Sequence, residues 1–256
     1  MIKAKTQKCK NCGNEFSGIF CNNCGQKLIN KRFTVKEIVM SSFSTTFSIN
    51  KGFFYTAKML FVNPAKVIDD YINGKTKYYI NPLKYLLIIA GINAFLSIYF
   101  NVFDMQQDAV YESMTTSEKT DFYLSFREKL KSILSFLVLF ILPFISFSSY
   151  LLHKRSKYYY AEHLIINSYL FAQITLIGIF FFPITLISSD LMGIQMFFNI
   201  IVMIFLYSYF NKIFFKISIF RSIFKSAITI VFGFFLFTIF MLIIMILLNV
   251  TFNFLQ

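Results

Sequence analysis

All four cysteines of the 256-residue chain lie near its N-terminus, in two Cys-x-x-Cys-Gly turns separated by eight residues. The first turn holds Cys9 and Cys12, and the second holds Cys21 and Cys24. Such a turn directs successive backbone N–H groups at the sulfurs, and its glycine tolerates a positive φ. Four thiolates suit a closed tetrahedral metal site. The spacing therefore predicts a zinc ribbon that holds one structural Zn²⁺.

Two alternatives would use the same four sulfurs. Iron also accepts four thiolates, but zinc is the commoner ion at a structural site. Two disulfides are less favoured, because nothing before Cys9 resembles a secretory signal. The span between the turns, 14–20, predicts only a minimal hairpin with Gly18 at its tip. A unit this small has little core of its own, so the metal must supply most of its stability.

The composition is that of a membrane protein, since 57% of the residues are hydrophobic and only 14% are charged. The apolar residues come in blocks near the ~20 residues that a helix needs to cross a bilayer. We expect an all-α integral membrane protein with five transmembrane helices, at about 82–102, 132–152, 164–187, 191–210 and 228–250.

The chain divides into three predicted parts. Residues 1–32 hold the zinc ribbon with a basic lead and a linker, residues 33–81 form interfacial amphipathic helices, and residues 82–256 form the transmembrane domain. Asn63-Pro64 and Asn81-Pro82 each predict an N-cap followed by the first helical residue.

The 33–81 segment begins with an apolar residue at every fourth position: Val35, Val39, Phe43 and Phe47. This spacing predicts one apolar stripe on a helix. The stripe would pack either on lipid at the cytoplasmic interface or on the transmembrane bundle, and the pattern does not separate the two.

The distribution of charge predicts the topology. Of the 25 Lys and Arg residues, 21 fall in the segments that are cytoplasmic if the N-terminus is inside, and four fall in the acidic loop 103–131. The positive-inside rule therefore predicts a multi-pass protein of the inner (cytoplasmic) membrane, with its N-terminus in the cytoplasm and its C-terminus outside. This orientation places the thiolates in the reducing cytosol, where metal sites are expected.

Other candidate functional residues lie at the predicted cytoplasmic mouth of the bundle. Two segments contribute to this candidate cluster: Asp69, Asp70, Gly74 and Lys75 before the first span, and Glu162 with His163 at the start of the third. Histidine is readily tuned for proton transfer or metal binding. The alternative is simple anchoring, because tyrosines and basic residues flank most spans. Nothing in the sequence shows that the two segments meet.

The spans themselves carry no charged or histidine side chain at mid-depth, although ion-coupled transporters usually have one. Uncharged polar residues such as Asn167 and Gln173 are more readily explained by hydrogen bonds between helices.

Several motifs together resemble an uncharacterised bacterial family of polytopic membrane proteins with an N-terminal Cys-x2-Cys/Cys-x2-Cys zinc ribbon, a domain of unknown function. They are the ribbon itself and the segments 71–78, 81–86 and 160–164. The resemblance implies an architecture and no reaction. It also implies that five residues fill motif positions: Gly74, Lys75, Pro82, Glu162 and His163.

We rank three functions. The first is an interaction, assembly or regulatory role at the cytoplasmic membrane face, with the lipid bilayer and a protein bound by the ribbon as partners and no enzymatic activity. Nucleic acid is not expected, because the ribbon lacks a dense aromatic and basic face. The second is a transporter or channel for a lipid-like or uncharged cargo. The third is a membrane enzyme that acts on a lipid headgroup through the carboxylates and His163 of the candidate cluster.

Overall fold

The computed structural model describes residues 6–29, 31–43, 51–100, 137–185 and 189–254. Within these ranges the chain forms two short strands and eight helices. They are β1 (Gln7–Lys8), β2 (Glu15–Phe16), α1 (Val35–Phe43), α2 (Lys51–Val62), α3 (Pro64–Ile72), α4 (Pro82–Tyr99), α5 (Leu137–Leu152), α6 (Tyr160–Thr185), α7 (Ser189–Phe214) and α8 (Ile219–Phe254). The loop predicted over 103–131 lies outside the described residues, and so do the first five residues of the basic lead.

The ribbon consists of two small antiparallel pairs, each closed by one cysteine turn. Strand β1 pairs with β2 around the first turn, and Phe20 bridges to Lys27 around the second. The prediction of a hairpin over 14–20 is therefore wrong. The cysteine turns are themselves the hairpin loops, and Gly18 lies in the connection between the two pairs.

Both predicted Asn-Pro helix starts are confirmed. The side-chain oxygen of Asn63 accepts a hydrogen bond from the Lys66 amide at the start of α3, and Asn81 accepts one from Lys84 at the start of α4, both at 3.0 Å. These bonds satisfy amides that have no partner within the helix. Gly74 follows α3 with a φ of +89°, a conformation that favours glycine.

Four helices in the described ranges are long and apolar enough to cross a membrane: α4, α6, most of α7 and the first 26 residues of α8. The described residues support four spans, and the prediction of five is not supported. The second span, predicted over 132–152, is described only as α5, whose 16 residues are fewer than the ~20 that a crossing needs.

Helix α6 occupies the centre of the bundle. It packs against α4, α5 and α7, while α8 packs against α5 and α7. Helix α8 buries a narrow stripe that holds four small or polar residues and two larger apolar ones: Ser222, Ser226, Thr229, Ile230, Gly233 and Phe237. Small residues allow close approach between membrane helices, so this stripe determines which face of α8 meets the bundle.

The uncharged polar residues inside the bundle form hydrogen bonds between helices. Tyr85 of α4 donates to the Gln173 side-chain oxygen at 3.0 Å, and Tyr207 of α7 donates to Asn167 at 2.7 Å. These contacts agree with a structural explanation of Asn167 and Gln173.

The predicted apolar stripe of α1 does not face the protein. Ile38 and Ser42 are the buried residues of this helix, which packs against α4 and α6. Val35, Val39 and Phe43 are exposed on the described molecule; Phe47 lies outside the described residues. Helix α1 thus has one face on the bundle and a second, apolar face directed away from it.

Candidate metal centre and ribbon–bundle junction

The four cysteine sulfurs converge at one point. All four Sγ atoms lie within 4.8 Å of one another, and the pairs Cys9–Cys24 and Cys12–Cys21 are each 3.6 Å apart. A tetrahedral ion with metal–sulfur bonds of about 2.3 Å requires sulfurs about 3.8 Å apart. Disulfide-bonded sulfurs would be about 2.05 Å apart. The four cysteines can therefore bind one metal ion.

Backbone amides surround the sulfurs, as the turn sequence predicts. The amide of Asn14 points at Cys12, and those of Asn23 and Cys24 point at Cys21. Desolvation raises the pKa of Cys24, but a hydrogen bond from the Gln26 amide and others from side chains outweigh it and lower that pKa to about 6. The Asn14 amide also lowers the pKa of Cys12, but desolvation and the three neighbouring sulfurs outweigh it and raise that pKa to about 11. Amides that donate to sulfur stabilise the thiolate, which is the form that binds a metal.

The ribbon packs directly on the turn between α3 and α4. Gln26 is buried and forms two bonds with Thr76: its amide nitrogen donates to the hydroxyl at 3.0 Å, and its oxygen accepts from the backbone amide at 3.2 Å. A Cβ placed on Gly74 would lie 3.2 Å from the Lys10 side chain and 3.4 Å from Ile29. Gly74 therefore has two functions, because it ends α3 and leaves room for the ribbon.

The linker that follows the ribbon attaches to the start of α6. The Arg32 guanidinium donates to the Lys157 carbonyl at 3.0 Å, lies 3.7 Å from the Glu162 carboxylate and covers the Tyr159 ring at 4.4 Å. The Glu162 side chain is only 3% exposed, so the guanidinium compensates a carboxylate that has little access to water. We use the name ribbon–bundle junction for Gln26, Arg32, Gly74, Thr76 and Glu162.

Glu162 also stabilises the beginning of its own helix. Its carboxylate accepts a hydrogen bond of 2.8 Å from the Tyr159 amide, which precedes α6. A carboxylate in the first helical turn also interacts favourably with the helix dipole. Both of its contacts are structural.

The two aspartates differ in their surroundings. Asp70 pairs with Lys75 at 2.8 Å and accepts a hydrogen bond from the Tyr79 hydroxyl at 3.1 Å. The hydrogen bond from Lys75 to Asp70 and the charge of Asp70 raise the pKa of Lys75. Asp69 is exposed. Desolvation raises the pKa of Tyr158, and the charges of Asp69 and Glu162 raise it further.

His163 lies inside the bundle, against α5. It is fully buried, with Nδ1 2.9 Å from the Ser149 hydroxyl of α5 and its ring stacked near Phe215. His153 lies beside it and is also buried, and its Nδ1 donates to the Ser149 carbonyl at 3.0 Å. Burial lowers the pKa of His153 to about 4, so this ring is neutral at pH 7.

The candidate cluster predicted from sequence thus separates into three places. Asp70 at the end of α3 pairs with Lys75 in the Gly74–Thr76 turn under the ribbon, Glu162 contacts Arg32, and His163 packs against α5. Asp69 is exposed, and its charge and that of Glu162 both act on Tyr158. Among the described residues, the four cysteines are the one group of three or more metal-ligating side chains within binding distance.

Sequence reasoning missed Gln26, Thr76, Arg32 and His153. Thr76 follows Gly74-Lys75 directly, so the motif pointed to its neighbourhood. Nothing in the sequence around Arg32 distinguishes it from the other basic residues of the linker.

One segment of the chain matches a known protein family. Residues 50–93 match a family described as a protein of unknown function (DUF3667). The DUF3667 match covers about a sixth of the chain, from the start of α2 to the middle of α4. It includes Asp69, Asp70 and the Gly74–Thr76 turn, and excludes the ribbon and Glu162–His163. No curated protein and no solved structure matches the chain.

Proposed function

We propose that this chain is a five-span inner-membrane protein of a bacterium, with a cytosolic ribbon that binds zinc and has an interaction or regulatory role at the membrane face. In this proposal the zinc-bound ribbon holds the linker and α1–α3 against the bundle. Zinc is preferred to iron because the site resembles a closed tetrahedral site of structural type. The exposed Ile19 (66%) and Phe20 (60%) give the ribbon an apolar edge for a protein partner.

The ribbon–bundle junction carries the proposal. Its contacts connect the ribbon to the turn before α4 through Gln26–Thr76, and connect the linker to α6 through Arg32–Glu162. A change in the ribbon, caused by metal loss or a partner, would therefore reach two membrane helices directly. Such coupling suits regulation or assembly.

The arrangement of helix ends supports five crossings. Lys225 near the start of α8 donates to the carbonyl of Leu152, the last residue of α5, at 2.8 Å. Tyr158, just before α6, stacks on Phe214, the last residue of α7, at 4.8 Å. These ends lie on the side of the bundle where the ribbon sits and α4 begins. Helix α5 therefore runs antiparallel to α4, as a fifth span must, and α8 leads away from the ribbon.

The topology is tested by reporter fusions. With the ribbon in the cytoplasm, alkaline phosphatase fused after Gln256 or within 103–131 should be active, because those positions would lie outside. Fusions at 153–159 or 215–218 should be inactive. An inactive fusion after Gln256 would contradict an odd number of spans.

Catalysis and transport have less support. The carboxylates of Asp70 and Glu162 are engaged by Lys75 and Arg32, and His163 is enclosed between helices. The buried amides Asn167 and Gln173 each bond a tyrosine of a neighbouring helix.

The proposed role is tested by removing each charge of the Arg32–Glu162 pair separately. Arg32→Gln and Glu162→Gln should both increase amide hydrogen exchange over 26–34, because either change releases the linker from α6. Glutamine retains an oxygen that can cap α6, so the helix itself should stay folded. Both variants should complement a deletion strain less well than the parent protein, and by similar amounts.

Lys36→Gln is the matched control, since Lys36 is an exposed residue of α1 outside the junction. If Arg32→Gln complemented the deletion strain and Glu162→Gln did not, with equal linker protection in the two variants, the result would instead favour catalysis by Glu162.

A further inference from the structure

A cavity of about 740 Å³ opens beside the ribbon–bundle junction. Its walls come from the linker, α1, the end of α3 and the turn before α4, and its lining includes Lys27, Lys31, Phe33, Met40, Tyr71 and Asn81. The volume lies within the roughly 300–1,000 Å³ of small-molecule sites. Neither the metal centre nor the candidate cluster accounts for this cavity.

The cavity has cationic and apolar parts. Lys27 ends the ribbon's second antiparallel pair and Lys31 lies in the linker. Neither forms an ion pair within 4 Å with another described residue, although the charges of both add to the Thr34 hydrogen bonds in lowering the pKa of Glu37. The apolar part includes Phe33, which stacks on Tyr71 at 5.3 Å, and Met40, which is 61% exposed.

One carboxylate, that of Glu37, also lines the cavity. It accepts hydrogen bonds of 2.9 Å from the amide and the hydroxyl of Thr34, and Thr34 in turn accepts from the Glu37 amide. This reciprocal capping at the start of α1 holds Glu37 in place. The lining therefore keeps a net positive charge, with two lysines against one carboxylate.

The position of the cavity relative to the membrane indicates the kind of ligand. Asn81 lines it and is also the N-cap of α4, whose first residue, Pro82, begins a candidate span. The cavity thus lies at the level where the chain enters the hydrocarbon region. Met40 belongs to α1, which exposes a further apolar face through Val39 and Phe43. A ligand at this depth can have its charge in water and its tail in the bilayer.

We propose that this cavity binds an anionic phospholipid of the adjacent leaflet. The headgroup phosphate lies between Lys27 and Lys31, and the glycerol and upper acyl chain pass Phe33 and Met40 towards the bilayer. The inference rests on the proposed topology, in which this face meets the anionic cytoplasmic leaflet. Because Lys27 ends the ribbon and Lys31 follows it closely in the chain, a bound lipid would also stabilise the docked ribbon.

The test is native mass spectrometry of the full chain, purified in detergent with its metal and titrated with phosphatidylglycerol or phosphatidylethanolamine. The Lys27→Gln/Lys31→Gln variant should bind phosphatidylglycerol about 10- to 30-fold more weakly, since each lysine near an anionic headgroup contributes favourably to binding. Lys58→Gln/Lys66→Gln is the control of equal charge change, because both of these lysines are exposed outside the cavity. It should bind like the parent.

Two further measurements separate a lipid from a simple anion. Inorganic phosphate at the concentration of the lipid should leave phosphatidylglycerol bound. Met40→Gln should weaken binding by about fivefold, because an apolar contact with the acyl chain is lost. Displacement by phosphate, equal affinity for both lipids, or equal losses in the two lysine variants would overturn the inference. Zinc content and fusion topology of each variant are measured separately, so a failure of the proposed function is recognised independently.

Discussion

Replacing Cys21 and Cys24 together by serine is expected to reduce bound zinc from one ion per chain to none and to release the ribbon from the bundle. Only two thiolates remain, and the ribbon core contains little besides Cys9, Phe16 and Cys21. A unit this small would take its folding free energy from the bound metal, as zinc-finger peptides do, where zinc supplies on the order of 10 kcal/mol. Gln26 then loses its position opposite Thr76. Elemental analysis measures the metal, and limited trypsin digestion at Lys27 and Lys31 measures the release.

Asn23→Ser is the matched control, because this exposed residue lies in the same turn and contributes its backbone amide to Cys21. It should retain zinc and protease resistance. One zinc ion still bound to the double serine variant would show that the site lies elsewhere. Intact disulfides without metal in the parent protein would refute a metal site, and stoichiometric iron would replace zinc as its occupant.

Gly233→Ala is expected to destabilise the membrane bundle more than other glycine substitutions in the spans. The added Cβ would lie 2.6 Å from Cγ1 and 2.9 Å from Cα of Ile145, so the α5 backbone itself must move. Overpacking of this kind costs about 1–3 kcal/mol. For a chain of this size each kcal/mol lowers the unfolding midpoint by about 2–4 °C. The midpoint can be followed by size-exclusion chromatography of detergent samples after heating.

Gly91→Ala provides the control within another span. A Cβ at Gly91 meets nothing within 4 Å, and the residue is exposed on α4. This variant should unfold at the temperature of the parent protein or slightly above it. If Gly91→Ala and Gly233→Ala lowered the midpoint equally, the close crossing of α5 and α8 would not be important for stability.

Features that depend on nearby residues could be predicted from the sequence. Each cysteine turn closes within five residues, so the spacing alone indicates that its two sulfurs point to one ion. The Asn-Pro pairs likewise determine helix starts through a side chain that reaches an amide three residues later. The apolar blocks of α4, α6, α7 and α8 predict membrane helices. An apolar segment in hydrocarbon must pair its own backbone N–H and C=O groups, and a helix does so within one segment.

Helix boundaries were less predictable. The segment 211–227 separates the fourth and fifth predicted spans, but only the short turn 215–218 is not helical, since α7 and α8 continue beyond their apolar segments. Hydropathy marks where a helix enters lipid, whereas the backbone hydrogen bonds that define the helix continue into the polar residues on either side. Lys216, with a φ of +52°, forms the turn between these two helices.

The candidate functional cluster shows what tertiary structure decided. The sequence by itself determined the two cysteine turns, two helix starts and the apolar segments, because each depends on spacing along a single turn or helix. It did not determine that Gln26 would bond Thr76, 50 positions away, or that Arg32 would meet Glu162. Helical periodicity indicates which face of a helix is polar, but the neighbour of that face depends on how α1, α3 and α6 pack. That packing enclosed His163 against α5, placed Glu162 against Arg32 of the linker, and left a cationic cavity beside the ribbon–bundle junction.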